Sequence, residues 1–190
     1  MAAKKAKQPA KTAAKKPTPN RKPAVDGARP YTGYDGDGNG ATPGLAMFIR
    51  EAEKRTGGAL WNNGAFGIRP MRNKTTPSVH STGRAVDLSY RKMPNKGVSR
   101  GREISEHFFD VVVANANAIG VELVIDYYPQ PFGRAWRCDR QEWKEYAHPT
   151  VAGAPGGDWW HVEVSPAAAR DPERVKTAIA KAFGDNPPNN

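Results

Sequence analysis

The sequence predicts one α+β domain, in which helices pack against a small, mostly antiparallel sheet. Helical and strand patterns are mixed along the chain without a repeating strand-helix-strand unit, which disfavours a doubly wound parallel sheet. The chain has 190 residues, the size of one ordinary domain. No apolar stretch reaches the roughly 18 residues of a membrane-spanning helix, so stable membrane insertion is not expected.

The first predicted helix begins at Thr42 and Pro43, an N-cap residue followed by a residue suited to the first helical turn. Leucine, phenylalanine, isoleucine and alanine recur at helical spacing until Gly57 and Gly58 end the pattern. A strand is then predicted over residues 84–90.

The longest predicted helix covers residues 103–119 and carries an apolar stripe that ends at Gly120. Strands are predicted over residues 121–127 and 159–164, because both segments are rich in β-branched or aromatic residues. These segments complete the expected sheet.

Two further helices are predicted from capping residues. Asp139 is expected to cap a short helix that carries Trp143 and Tyr146. Asp171 opens the last helix, which has one apolar side and ends at Gly184.

Most of the net charge of +10 lies at the N-terminus. Residues 1–30 contain nine Lys or Arg residues and one acid, and no large apolar residue lies between Met1 and Val25. Such a segment cannot bury enough surface to offset its ordering entropy. We therefore expect a disordered tail over residues 1–30, a folded domain over 31–185 and a disordered C-terminus over 186–190.

The basic tail has three interpretations: a solvated linker, a segment attracted to an anionic cell wall, or a segment attracted to DNA. No apolar run follows its charges, so a secretory signal is not expected. We expect the protein to be made in the cytoplasm. Cys138 is the sole cysteine, which excludes an internal disulfide and a multi-cysteine zinc site. A metal site would therefore depend on His and carboxylate ligands.

The first candidate for chemistry is the segment 78–90, which reads SVHSTGRAVDLSY. His80 precedes a Ser-Thr-Gly turn and a strand, so the chain can double back and return Asp87 toward His80. Asp87 lies on the strand face opposite the apolar Val86 and Leu88. That face therefore offers a carboxylate beside a small alanine.

The second candidate is the segment 156–164, which reads GGDWWHVEV. If its strand pairs with the first, His161 faces the same point as His80 and Asp87. Two imidazoles and one carboxylate are the three protein ligands expected of a catalytic zinc site with an open position for water. Asp158 is placed to act as a base for that water, and Glu163, on the same strand face as His161, is the rival.

Both segments resemble motifs of a known family. Ser78 to Asp87 resembles S-x-H-x-x-G-x-A-x-D, and Asp158 to His161 resembles (E/D)-x-x-H. These motifs mark the LAS zinc metallopeptidases, which include D-alanyl-D-alanine carboxypeptidases and dipeptidases and phage L-alanyl-D-glutamate endopeptidases. The resemblance covers about residues 65–165.

The resemblance implies that Zn²⁺ is held by His80, Asp87 and His161. It also implies that Asp158 is the general base and that Ser78 helps to hold substrate. Dipeptidases usually carry Glu at the base position, whereas phage endopeptidases can carry Asp. The family resemblance therefore favours a phage endolysin.

A third element is similar to the G-Y-R segment of these peptidases, whose Arg stabilises the oxyanion. Here the segment reads Gly67-Ile68-Arg69, which makes Arg69 the candidate. Only ten residues separate Arg69 from His80, a shorter interval than the family pattern, and Arg72 is a competing candidate.

The expected function is hydrolysis of stem-peptide bonds in bacterial peptidoglycan, either D-Ala-D-Ala or L-Ala-D-Glu, by a monomer. Without a signal sequence, the enzyme would reach the wall through a holin-like release partner or be carried in a virion. The alternative is an inactive zinc-holding scaffold that binds nucleic acid or wall through its basic tail. The acid at Asp158 discriminates between the two, because a pure binder has no use for a base beside the metal.

The other histidines and the tryptophans have simpler interpretations. His107 and His148 are expected to be structural or solvent-facing. Core packing is the favoured role of the tryptophans, with one of Trp159 and Trp160 available to wall a substrate groove.

Overall fold

The computed structural model describes residues 27–184. In this part of the chain a six-stranded sheet combines with five α-helices and one 3-10 turn. The strands are β1 (Trp61–Gly64), β2 (Ala85–Ser89), β3 (Val121–Asp126), β4 (Arg134–Arg137), β5 (Glu142–Glu145) and β6 (Trp159–Val164). The helices are α1 (Pro43–Arg55), α2 (Gly101–Ala114), α3 (Ala116–Ile119), α4 (Pro166–Arg170) and α5 (Pro172–Phe183), and the 3-10 turn is Val79–Thr82.

The order of strands in the sheet is β1-β2-β6-β3-β4-β5, and every neighbouring pair is antiparallel. The predicted α+β class is therefore confirmed. The last strand in the chain, β6, lies between β2 and β3. This insertion places the two motif-bearing strands side by side, although they are far apart in the sequence.

The helices cover one face of this sheet. Val86 and Leu88 of β2 are fully buried on that face, as is Val162 of β6. The Trp160 ring stacks on Phe109 of α2 with ring centroids 4.4 Å apart. Because strand residues alternate between faces, the other face of β2 and β6 is left for the polar residues of the motifs.

The first and last predicted helices are confirmed as α1 and α5, and the Asp171 side chain accepts a hydrogen bond from the Arg174 N–H at 2.9 Å. The helix predicted over residues 103–119 is divided into α2 and α3 at Asn115, whose side chain donates to the carbonyl of Val111. Among the described residues, no helix combines the length and the apolar character that crossing a membrane requires.

The helix predicted after Asp139 is wrong, and the strand β5 takes its place. Trp143 pairs with Trp136 across the antiparallel β4-β5 hairpin. The carboxylate of Asp139 accepts two hydrogen bonds from the Arg137 guanidinium and does not cap a helix. Cross-strand pairing of the two tryptophans therefore overrides the local capping signal.

The predicted tail and C-terminus fall largely on residues 1–26 and 185–190, which lie outside the described residues. Arg29, near the start of the described residues, already contacts the folded domain. The Arg29 N–H donates to the carbonyl of Cys138 at 3.1 Å, and its guanidinium donates to Asn117 Oδ1 at 2.8 Å. The packed region thus begins a few residues before Tyr31, the boundary that composition predicts.

Candidate metal centre

His80 is held in the 3-10 turn that precedes β2. The Ser78 Oγ accepts a hydrogen bond from the His80 N–H at 3.3 Å and caps the turn. Gly83 ends the turn with φ 73°, and its N–H donates to the His80 carbonyl at 3.1 Å. A Cβ on Gly83 would lie 2.0 Å from the carbonyl oxygen of Gly40. The positive φ and this close approach together require glycine here.

Asp87 and His161 face each other across two paired strands. Asp87 of β2 lies opposite His161 of β6, and directly paired residues place their side chains on the same face. The Asp87 Oδ1 lies 3.1 Å from His161 Nδ1 and 3.5 Å from His80 Nε2. One ligand atom from each of the three residues can be chosen so that all lie within 4.8 Å of one another. These three side chains could hold a metal ion.

Two imidazoles and a carboxylate are a donor set that suits a divalent metal ion such as zinc. Zinc-ligand distances of about 2.0–2.2 Å in a tetrahedral site place the ligand atoms about 3.3–3.6 Å apart. The separations of 3.1 and 3.5 Å at Asp87 are close to that spacing. His80 and His161 are buried, whereas the Asp87 side chain is 20% exposed, so the group is accessible from the side of Asp87.

The charges of the three ligands depend strongly on one another. Burial alone would raise the pKa of Asp87, but hydrogen bonds from His161 and His80 hold that pKa well below its usual range. Burial would lower the pKa of His161, but its contacts with Asp87 and Glu163 raise it to about 10. Burial, with the nearby positive charges of His161 and Arg69, lowers the pKa of His80 against the influence of Asp87. His80 therefore favours the neutral form that a metal needs, and a metal at His161 Nδ1 has to displace a proton.

Glu163 lies behind His161, on the side away from Asp87. Its Oε1 is 3.0 Å from His161 Nε2, and its Oε2 accepts a hydrogen bond from the Tyr31 hydroxyl at 2.7 Å. Burial and the Glu163 carboxylate raise the pKa of Tyr31, so the phenol keeps its proton. Both oxygens of Glu163 are engaged. The sequence gives no signal for Tyr31, because the contact joins segments 132 residues apart.

Asp158 lies immediately before β6 and is partly exposed. Its Oδ2 is 3.4 Å from the Arg91 Nε, and its backbone carbonyl accepts hydrogen bonds from the Tyr90 N–H and the Ser89 hydroxyl. Within residues 27–184, no hydrogen bond or ion pair joins the Asp158 carboxylate to the three ligands. The structure thus anchors the backbone of Asp158 beside β2 and turns its carboxylate toward Arg91.

Arg69 lies in the loop between β1 and the His80 turn. Its N–H donates to Ser81 Oγ, and its carbonyl accepts from the Ser78 N–H, each at 3.0 Å. The side chain is exposed, and its positive charge contributes to the lowered pKa of His80. Arg72 lies further along the same loop, and residues 69–76 line an open cleft of about 910 Å³. The charge of Arg69 is thus one of the influences that lower the pKa of His80.

The remaining sequence predictions can be placed on this site. Ser78 is buried and its hydroxyl caps the His80 turn, while its substrate-binding role stays a prediction. His107 and His148 are exposed, as expected. Trp160 is buried in the core, whereas Trp159 is partly exposed, on the same strand face as His161, and its ring lies 4.8 Å from that of Tyr127.

The three predicted metal ligands converge, whereas the side chains of Asp158 and Arg69 make no hydrogen bond or ion pair with them in the part of the chain that the structure describes. Comparisons of the chain with protein-family models, with curated proteins and with solved structures found no match. The candidate site is therefore supported by its own geometry.

Proposed function

We propose that the protein is a zinc-dependent peptidase of the LAS type that hydrolyses stem-peptide bonds of bacterial peptidoglycan. The observation that carries the proposal is the convergence of His80, Asp87 and His161 on the face of the sheet opposite the helices. Two imidazoles and a carboxylate are a common catalytic zinc ligand set. Zinc in such a site supplies a Lewis acid and lowers the pKa of its water.

The chain's own residues would then position the substrate and move the proton. In the proposal, Asp158 accepts a proton from the attacking water and gives it to the leaving amine. The carboxylate is turned toward Arg91 at 3.4 Å in this structure, so the role requires it to turn toward the ligands when substrate binds. Glu163 is the weaker candidate for the base, because His161 and Tyr31 engage both of its oxygens.

Arg69 is the proposed oxyanion stabiliser. Its guanidinium is exposed beside the site, and its charge already acts on His80. A fixed cation near the developing negative charge lowers the barrier most where water is partly excluded. Arg72, in the same loop, is the alternative for this role.

The surroundings of the site agree with an anionic peptide substrate. The loop over residues 69–76 carries Arg69, Arg72 and Lys74 and no acid, which suits the carboxylates of a stem peptide. We propose cleavage of either the L-Ala-D-Glu or the D-Ala-D-Ala bond. Asp158 at the base position favours an endolysin that is made in a host cytoplasm and reaches the wall through a holin-like partner or in a virion.

The proposal is tested by incubating the purified protein with purified peptidoglycan and identifying the released fragments by mass spectrometry. Wild type should release stem-peptide fragments, and a chelator or His80→Ala should abolish the release. His107→Ala replaces an exposed histidine on α2 and is the matched control, expected to behave as wild type.

Undiminished release by His80→Ala would refute the proposal. Tight zinc binding without any released fragment would instead favour the alternative of a zinc-holding scaffold that binds an anionic polymer.

A further inference from the structure

We propose that Glu163 and Tyr31 are positioning residues for the metal centre. In this arrangement Glu163 fixes the tautomer and orientation of His161, and Tyr31 fixes Glu163. The inference rests on the metal centre of the proposed function, but it concerns residues outside the three ligands.

The two ring nitrogens of His161 face different partners. Nδ1 lies 3.1 Å from Asp87 Oδ1, on the side of the other ligands, and Nε2 lies 3.0 Å from Glu163 Oε1. A hydrogen on Nε2 can be donated to the Glu163 carboxylate oxygen that it faces. When one ring nitrogen is protonated in a neutral imidazole, the other presents a lone pair. Once a metal displaces the proton of Nδ1, the Nε2–H held by Glu163 therefore keeps His161 in the tautomer whose Nδ1 lone pair faces the metal position.

Glu163 is itself held in place. It is buried, and it shares a strand face with His161 because the two residues are two positions apart on β6. Its second oxygen accepts the Tyr31 hydroxyl at 2.7 Å. The Tyr31 ring in turn lies under the Arg137 guanidinium, 4.9 Å from the ring centroid. Three groups in sequence, Arg137, Tyr31 and Glu163, thus lead from β4 to the ligand His161.

This chain of contacts matters because a ligand that is already oriented loses less freedom when the metal binds. Carboxylates behind metal-bound imidazoles raise ligand basicity and fix the tautomer, and their loss commonly costs about 10–100-fold in metal affinity. Tyr31 lies in the segment before α1, so this segment contributes to the site through the Tyr31 hydroxyl.

The test compares the full-length wild type with Glu163→Ala, Glu163→Gln and Tyr31→Phe. Zinc affinity is measured by competition with a chromophoric chelator, and the visible spectrum of the Co²⁺-substituted protein reports the coordination geometry. Glu163→Ala should weaken zinc binding about 10–100-fold and alter the Co²⁺ spectrum. Glu163→Gln should recover part of the loss, since its amide oxygen still accepts from Nε2, and Tyr31→Phe should give a smaller loss in the same direction.

Glu122→Gln is the matched control. Glu122 is also a buried acid in the sheet, and it accepts hydrogen bonds from Thr32, the neighbour of Tyr31. Its further ion-pair contacts are with Arg29 and Arg84, away from the three ligands. Zinc affinity and the Co²⁺ spectrum of Glu122→Gln should match wild type. Equal weakening by Glu122→Gln would overturn the inference, because the effect would then be general destabilisation.

The outcomes also separate this inference from the proposed function. If wild type binds no zinc, the metal centre itself is refuted. If wild type binds zinc and both Glu163→Ala and Tyr31→Phe bind it equally tightly, only the positioning role is refuted. If Glu163→Ala fails to fold, Tyr31→Phe and nitrogen NMR of zinc-loaded wild type decide. Zinc on Nδ1 of His161 with a protonated Nε2 supports the inference, and zinc on Nε2 overturns it.

Discussion

Replacing Gly83 with alanine should destabilise the fold and the metal site together, because Gly83 closes the turn that carries His80. Its φ of 73° is left-handed, which costs an alanine about 1–2 kcal/mol. The added Cβ would lie 2.0 Å from the Gly40 carbonyl oxygen, so backbone has to move. Overpacking of this kind adds about 1–3 kcal/mol. We expect a total loss of about 2–5 kcal/mol in the free energy of unfolding.

Gly58→Ala is the matched control for this prediction. Gly58 also has a positive φ, 79°, but a Cβ there would meet no atom within 4 Å. The alanine therefore bears the conformational cost alone, about 1–2 kcal/mol, partly offset by the lower entropy of the unfolded chain.

Urea unfolding with a chelator present measures the stability of each variant, and chelator competition measures zinc affinity. Gly83→Ala should lose more stability than Gly58→Ala and should also bind zinc more weakly, because the turn of His80 shifts. Equal destabilisation of the two variants, or wild-type zinc affinity in Gly83→Ala, would show that the turn at Gly83 does not position His80.

Three further predictions concern the site. Zinc affinity should rise about tenfold per pH unit from about pH 7 to 9, because zinc displaces the proton of His161, whose pKa is raised to about 10. In the zinc-free protein, the stability that protonated His161 contributes is complete below the ordinary His pKa and is lost as the pH rises through about 10. Calorimetry of zinc binding in buffers of different ionisation enthalpy should count one released proton, and a count of none would contradict this prediction. Asp158→Asn should lower kcat about 10²–10⁴-fold with zinc affinity retained, and a kcat near wild type would exclude Asp158 as the base. Arg69→Ala should lower kcat more than Arg72→Ala in the fragment-release assay, and the reverse order would assign the oxyanion to Arg72.

The sequence predicts the parts of this site that depend on local alternation. Val86 and Leu88 alternate with Asp87, so the polar face of β2 can be read from the chain alone. The pattern of a His, a turn and a strand likewise predicts that Asp87 returns toward His80, and His80 Nε2 lies 3.5 Å from Asp87 Oδ1. The sequence leaves the pairing of the two motif strands as a condition, and the register of Asp87 opposite His161 meets it.

Features that depend on tertiary contacts escape sequence reasoning. Tyr31 stands at the edge of a basic, low-complexity segment and carries no periodic signal, yet its hydroxyl holds Glu163. The strand β4 has only four residues, and its Trp136 pairs with Trp143 of β5. Asp139, which precedes β5, locally favours a helix instead. In both cases the deciding interaction joins residues whose proximity the local pattern does not encode.

The central claim is that His80, Asp87 and His161 bind one zinc ion through atoms that already converge. A crystal structure of the zinc-loaded protein, with anomalous scattering at the zinc edge, tests this most directly. We expect one zinc ion about 2.0–2.2 Å from His80 Nε2, an Asp87 carboxylate oxygen and His161 Nδ1. Zinc bound elsewhere, or no zinc at these three residues at saturating concentration, would contradict it.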